Sequence, residues 1–193
     1  MELLMEELFA GNSDRITRAY FDSLLLEMRH IDGRIPDTTF CLSGKTFDTP
    51  IMTAALSHLD HLRPDSMAEL ARGAAMAKAV NWVGMGEKEE LEKITKVPSQ
   101  TIKIIKPYAD NQMIFDKSAH AEKCGCLAVG IDIDHAFDSA GQYDNIHGHA
   151  MSSKSLEELK EFASSTSLPF IVKGVLSERD AYQCLSAGAG GIV

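Results

Sequence analysis

Lys173 ends the apolar run Pro169-Phe170-Ile171-Val172. An ammonium group at the end of such a run is drawn out of water and keeps its charge only if an anion or an electron-rich group faces it. Asp132 closes a second run, Leu127-Ala128-Val129-Gly130-Ile131, and its carboxylate could orient a histidine or neutralise a lysine. Lys106 follows a third segment, Thr101–Ile105, directly before Pro107. Each lies where an apolar strand would end, and in parallel β/α architectures the reacting groups sit at the C-terminal ends of strands. Two blander readings stay open for Lys173: a lysine that snorkels to solvent, or one held in a structural ion pair with Asp132.

A second group of polar residues lies between Ile133 and Lys154, a long loop holding His135, Asp138, Asp144, His147 and His149. A loop of this length after a strand commonly acts as a lid. Asp132, Asp134, His135, His147 and His149 could be drawn as a metal site. The His-x-His pair has no strand to fix its geometry, so solvated histidines are the better reading and no metal is expected. Cys124-Gly-Cys126 is a lone pair where zinc wants four ligands, and Cys41, Cys124, Cys126 and Cys184 read as reduced thiols.

The elements that must position these residues follow from periodicity. Residues 2–31 are rich in Leu, Met, Glu and Arg at helical spacing, with Asn12-Ser13-Asp14 as a break before a second helix from about Arg15. Residues 37–47 alternate apolar and polar around Ser43-Gly44, which predicts a hairpin. From Pro50 the rhythm becomes βαβα. Strands are expected at Ile51–Ala54, Trp82–Met85, Thr101–Ile105, Leu127–Asp132, Phe170–Lys173 and Gly191–Val193. Helices are expected at 65–79, 87–95, 111–124, 155–165 and 177–187. A doubly wound sheet and an incomplete barrel both accommodate that order. Gly84-Met85-Gly86 follows the second strand without a third glycine, so a dinucleotide fingerprint is not supported.

Bulk properties narrow the class. The chain has 193 residues, enough for one sizeable core, and a formal charge of −9, which repels nucleic acid. No stretch reaches the ~20 apolar residues of a membrane span, and the acidic N-terminus is unlike a secretory signal. A cytoplasmic location is expected. Ala187-Gly188-Ala189-Gly190-Gly191-Ile192-Val193 stops inside an apolar strand, so the chain reads as cut off.

Phe170-Ile171-Val172-Lys173-Gly174-Val175-Leu176-Ser177-Glu178-Arg179-Asp180-Ala181, with Gly188-Ala189-Gly190-Gly191-Ile192-Val193, closely resembles the strand-five to strand-six segment of FMN-dependent α-hydroxy acid oxidases and dehydrogenases, the lactate oxidase and glycolate oxidase group. Thr49-Pro50-Ile51-Met52, Lys106-Pro107-Tyr108-Ala109-Asp110 and Ala128-Val129-Gly130-Ile131-Asp132 resemble strands one, three and four of that family. The resemblance spans about Arg18 to Val193. It implies an α/β fold, a (β/α)₈ TIM barrel of which about six strands are present. Residues 1–49 would form a helical arm and hairpin plug, and 50–193 a partial FMN-binding barrel.

The resemblance also implies FMN across the barrel mouth. Lys173 would contact the N1/O2 edge of the isoalloxazine, Asp132 would orient a catalytic histidine, and the backbone at Ala54, Ala55 and Ser57 would lie against the ring. The reaction implied is oxidation of a small, lactate-like 2-hydroxy acid to the 2-oxo acid by hydride transfer. The family's histidine and arginine fall beyond Val193, as does its phosphate site, so the 193 residues alone are expected to have little activity and to associate with another chain or a second copy. An aromatic expected after strand two falls near Gly86, and a tyrosine expected after strand three falls near Lys106, a substrate-side cation. A decayed or non-catalytic flavin barrel and an FMN-dependent isomerase are the competing functions.

Overall fold

A computed structural model describes residues 12–193, in two compact units that divide between Asp37 and Thr38. The first contains α1 (Asn12–Ser23), which has no buried residue. The helix starts at Asn12, so Asn12-Ser13-Asp14 form its first turn and not the expected break. It stops well before residue 31 because the Ser23 hydroxyl donates back to the Tyr20 carbonyl, 2.6 Å away, offering the backbone an alternative to another turn. The helix expected over residues 2–11 lies outside the described residues.

The second unit opens with the expected hairpin, β1 (Phe40–Leu42) and β2 (Lys45–Phe47), turning through Ser43 and Gly44, both at positive φ. Its apolar side packs with Val80, Leu127 and Ala128, at or beside the starts of the strands that follow, so it closes the N-terminal end of the sheet. Then come α2 (Ser66–Met76), β3 (Val80–Val83), α3 (Lys88–Thr95), β4 (Gln100–Ile105), α4 (Asn111–Lys123) and β5 (Ala128–Asp132). A small hairpin follows, β6 (Asn145–Ile146) with β7 (His149–Ala150). The chain continues through α5 (Leu156–Ser164), β8 (Phe170–Lys173), α6 (Glu178–Ser186) and β9 (Gly191–Ile192).

Ser155 opens α5 with a reciprocal capping box to Glu158, and Ser177 opens α6 by accepting from the Asp180 N–H at 3.0 Å. Gly125, at φ 74°, ends α4 in the left-handed conformation that glycine adopts without strain.

The main sheet has five parallel strands in the order β3-β4-β5-β8-β9. Each new strand joins beside its predecessor. A doubly wound sheet reverses direction at a switch point, and this one does not. It is an arc of a (β/α)₈ barrel. Ile102, Ile104, Ala128 and Ile171 face inward with the β1–β2 hairpin, while Val129, Ile131, Phe170 and Val172 face the helices with Leu91, Ile114, Leu159 and Phe162.

The first expected strand, Ile51–Ala54, is not regular. Residues 51–56 touch β3 through two isolated bridges, Met52 to Val80 and Leu56 to Val83. Between them the Trp82 N–H donates to the Thr53 hydroxyl at 2.7 Å instead of to a main-chain carbonyl, which breaks the ladder. The strand expected at 82–85 also moves earlier, to Val80–Val83, leaving Gly84-Met85-Gly86 as its loop.

Gly130 stands in the middle of β5 with no room for a side chain. A Cβ there would lie 2.4 Å from the Ile171 carbonyl oxygen and 2.9 Å from Ile104 Cδ1. Backbone in a central strand cannot retreat, so Gly130→Ala is expected to cost about 2–3 kcal/mol, read as a lower urea midpoint at unchanged slope. An unchanged midpoint would show that the sheet can spread there.

Candidate functional site

Strand side chains alternate between faces, so inward positions repeat every second residue. The inward series runs Ile102, Ile104, Lys106 on and just beyond β4, Ala128, Gly130, Asp132 on β5, and Ile171, Lys173 on β8. The register pairs Ile104 with Gly130, Gly130 with Ile171, and Asp132 with Lys173. The three ionisable residues therefore form one layer at the C-terminal mouth. Lys106 Nζ donates to Asp132 Oδ2 at 2.9 Å, and Lys173 Nζ donates to Asp132 Oδ1 at 2.9 Å. Asp132 is 4% exposed, so the carboxylate itself is held almost out of water between two partly buried ammonium groups.

Electrostatics follow from that packing. Burial alone would raise the Asp132 pKa, but hydrogen bonds from Asp134, Lys106 and Lys173 outweigh it and bring it down to about 2. Asp134 moves the other way, raised by its hydrogen bond with Asp132 and by burial. Burial also disfavours the charge on Lys173, and the contact with Asp132 more than offsets it, so the Lys173 pKa is raised. Asp134 is packed close by geometry as well: Gly174 takes φ 96°, and a Cβ on it would lie 2.7 Å from that of Asp134.

Asp132, Asp134 and His135 bring candidate ligand atoms within 4.8 Å of one another. Both Asp132 oxygens already hold an ammonium group, which opposes a metal ion there. His135 Nε2 lies 3.9 Å from Asp132 Oδ2, beyond hydrogen-bond reach.

Below this layer is a cleft of about 520 Å³. Leu42 lines it from the hairpin, Ala54, Ala55, Trp82 and Ile102 from one wall, and Ile171, Ile192 and Val193 from the other, with Lys173 beside them. The volume suits a small cofactor or substrate. Apolar walls with one cation fit a flat ring system that has an electron-rich edge. Of the residues expected to meet a flavin, Ala54, Ala55 and Lys173 come together here. Ser57 does not line the cleft; it lies against Gly84, where a Cβ would meet the Ser57 hydroxyl oxygen at 2.4 Å. Lys106 and Asp132 stand behind Lys173, outside the lining.

The space beside Gly86 is filled. A Cβ there would fall on the carboxylate of Glu90, whose Oε2 is buried without a hydrogen-bond partner, and whose pKa is raised by that burial. The family resemblance expects an aromatic residue near this position, and the chain has Gly86 there.

Sequence reasoning missed two features. Lys103 is 4% exposed, faces the helices, and donates to the Gly84 carbonyl; burial lowers its pKa to about 8. Its chain neighbours Ile102 and Ile104 both face inward, and only the strand period would have revealed which side it takes. The long loop also carries more structure than expected. Its end is fixed by the Ala109 N–H to the Ala150 carbonyl at 2.8 Å, the Ser152 N–H to the Pro107 carbonyl at 2.9 Å, and Lys154 Nζ to the Tyr108 carbonyl at 2.7 Å.

From that anchor the β6–β7 hairpin reaches the loop after the first strand segment. There the rings of His147 and His58 meet edge to face at 4.8 Å. The His58 pKa is lowered by burial, by His147 and by Lys103. A histidine with a lowered folded pKa contributes stability above its unfolded value of about 6.5 and loses it as pH falls toward the folded value. Amide exchange of Asn145–Ala150 is therefore expected to show less protection at pH 5 than at pH 8, after correction for intrinsic rates. Equal protection would mean that the ring contact does not hold the hairpin.

No helix among the described residues is long and apolar enough to cross a membrane. The family model of FMN-dependent dehydrogenases matches residues 6–156 and 139–193. Glycolate oxidase 2 of Oryza sativa subsp. indica is 23% identical over 94% of this chain and 58% of its own length, and the protein of that name from subsp. japonica matches equally. A mandelate oxidase structure with benzoyl-formic acid superposes with a TM-score of 0.69 at 22% identity, covering 80% of this chain and 50% of that one. A mandelate oxidase variant with the monooxide FMN adduct also gives 0.69, at 23% identity. The chain thus spans about half to three-fifths of the length of the relatives it matches. With the family model covering nearly every residue and the barrel arc in place, the chain belongs to the FMN-dependent dehydrogenase family.

Proposed function

We propose that the whole protein oxidises a small 2-hydroxy acid to the corresponding 2-oxo acid, with FMN held in the cleft between Ala54–Ala55 and Lys173. The observation that carries this reading is the layer Lys106–Asp132–Lys173 at the mouth of an apolar cleft in a chain of this family. Bound FMN would supply the two-electron acceptor. Lys173 lies at the cleft where the electron-rich edge of the ring would rest, and a cation fixed in a poorly solvated wall stabilises negative charge more than one in water. The backbone at Ala54 and Ala55 would flank the ring without a bulky side chain. Asp132, buried and ionised, pairs with both lysines and fixes their positions. Lys106 offers a cation on the substrate side for a carboxylate.

The test is a visible absorption spectrum of the purified protein before and after anaerobic addition of L-lactate, then of larger 2-hydroxy acids. A flavin spectrum that bleaches supports the proposal. Flavin bands that no hydroxy acid changes would point to the non-catalytic or isomerase alternatives, and the absence of bound flavin would remove all three.

A further inference from the structure

We propose that His120, Cys124 and Glu92 form a zinc-binding site on the helical side of the sheet, tying α3 to α4. His120 and Cys124 stand four positions apart at the C-terminal end of α4, a spacing that puts both side chains on one helix face. Glu92 comes from the neighbouring helix α3. His120 Nε2 lies 3.6 Å from Cys124 Sγ and 3.2 Å from Glu92 Oε1. Those spacings match two edges of a tetrahedral zinc centre, where bonds of about 2.0–2.3 Å set nitrogen and sulfur ~3.6 Å apart and nitrogen and oxygen ~3.3 Å apart.

One ring nitrogen facing both a sulfur and a carboxylate oxygen is poorly served by hydrogen bonds. An Nε2–H aimed at the carboxylate is not aimed at the sulfur, and a bare Nε2 that accepts from the thiol turns its lone pair toward the carboxylate. A divalent cation among the three atoms satisfies them all. The negative partial charge at the C-terminal end of α4 favours a cation there. One thiolate, one imidazole and one carboxylate suit zinc, whereas calcium and magnesium take oxygen ligands. Cys124 would bind as the thiolate, its proton passing to solvent.

Closing the site needs one movement. Among the described residues only Asp132, Asp134 and His135 bring three such ligand atoms within 4.8 Å of one another, so Glu92 must swing toward Cys124. Its side chain is 54% exposed and has room to do so, while that of His120 is 15% exposed and is held between the helices. The fourth position is left to water. Cys126 does not supply it: that side chain packs into the core, and burial pushes its thiol up to about 12. The sequence sets Cys124 beside Cys126 as a lone pair, but the fold turns Cys126 inward and gives Cys124 other neighbours.

The experiment is a zinc titration of the purified protein, reduced and stripped of metal, in competition with a chromophoric chelator. The parent is expected to bind one zinc per chain with a dissociation constant of about 1 μM, weaker than a four-ligand structural centre. Removing an outer partner of a zinc ligand already costs about 10–100-fold, so Cys124→Ser and His120→Gln should each weaken binding about 100-fold or more, and Glu92→Gln about tenfold. Cys41→Ser and His135→Gln should match the parent. Cobalt(II) in place of zinc gives a second readout, a thiolate-to-cobalt charge-transfer band present in the parent and absent in Cys124→Ser. Zinc should also raise the thermal midpoint of the parent and not of Cys124→Ser, since only the folded chain brings the ligands together. Cys124→Ala replaces the serine variant should that protein fail to fold.

Parent binding no tighter than about 100 μM would overturn the proposal. So would zinc affinity unchanged in a folded Cys124 or His120 variant, or zinc binding lost in His135→Gln, which would put the ion at the Asp132 group instead. None of these readouts depends on bound flavin or on turnover, so the proposal stands or falls apart from the function proposed above.

Discussion

Replacing Lys173 by methionine is expected to slow reduction of the bound flavin by a 2-hydroxy acid about 10²–10³-fold, the usual cost of removing one fixed group that stabilises developing charge. The measurement is stopped-flow bleaching under anaerobic conditions at saturating substrate. Lys173 is placed by the end of β8 and by Asp132, and it is the lysine that lines the cleft. Loss of flavin binding without loss of rate in the loaded fraction would assign Lys173 to holding the cofactor only. A rate within about threefold of the parent would remove it from the chemistry.

The second large effect concerns stability. Asp132→Asn removes the anion between two partly buried ammonium groups, and breaking such an arrangement from one side costs about 3 kcal/mol. Urea denaturation should show this as a lower midpoint, and adding Lys106→Met to Asp132→Asn should recover part of the loss, because one uncompensated charge goes with it. A double variant no more stable than the single would mean that Lys106 reaches water when Asp132 is neutral. The pH dependence has a fixed sign. Asp132 has a depressed pKa, so its contribution is present above its unfolded value near 4 and is lost as pH falls toward about 2. Asp134 opposes it, since a raised pKa contributes stability that fades as pH rises through that value. The Asp132→Asn protein should lose the acid-side slope that comes from Asp132.

Much of this was legible in the residues. A charged side chain after four or five apolar ones marks a strand end, and Asp132 and Lys173 were found that way; Lys106 was read from the end of the segment Thr101–Ile105, before Pro107. Their meeting in one layer needed the register, which periodicity does not provide. The helices were readable within a few residues from their apolar spacing, with Ser177 opening the last as its sequence suggests, whereas Asp65 before α2 makes no side-chain cap hydrogen bond. The first strand segment was not, since its irregularity comes from the Thr53 hydroxyl taking an N–H from a neighbouring strand, a tertiary event with no local signal. The approach of His147 to His58 was hidden for the same reason: they lie 89 positions apart in the chain, and only the β6–β7 hairpin brings them together.

The strand order has a consequence for how the molecule is made. Every strand of the main sheet lies beside the one that precedes it in that sheet, so none needs a partner that the ribosome has yet to release. Each β/α unit can dock on emergence, keeping loop closures short and the search for pairing local. The exposed growing edge is then always the newest strand, and a pause in synthesis would leave the outer edge of that strand unpaired. Destabilising changes in β3 or β4 should consequently reduce yield more during synthesis than equal changes in β9, because all later strands build upon them.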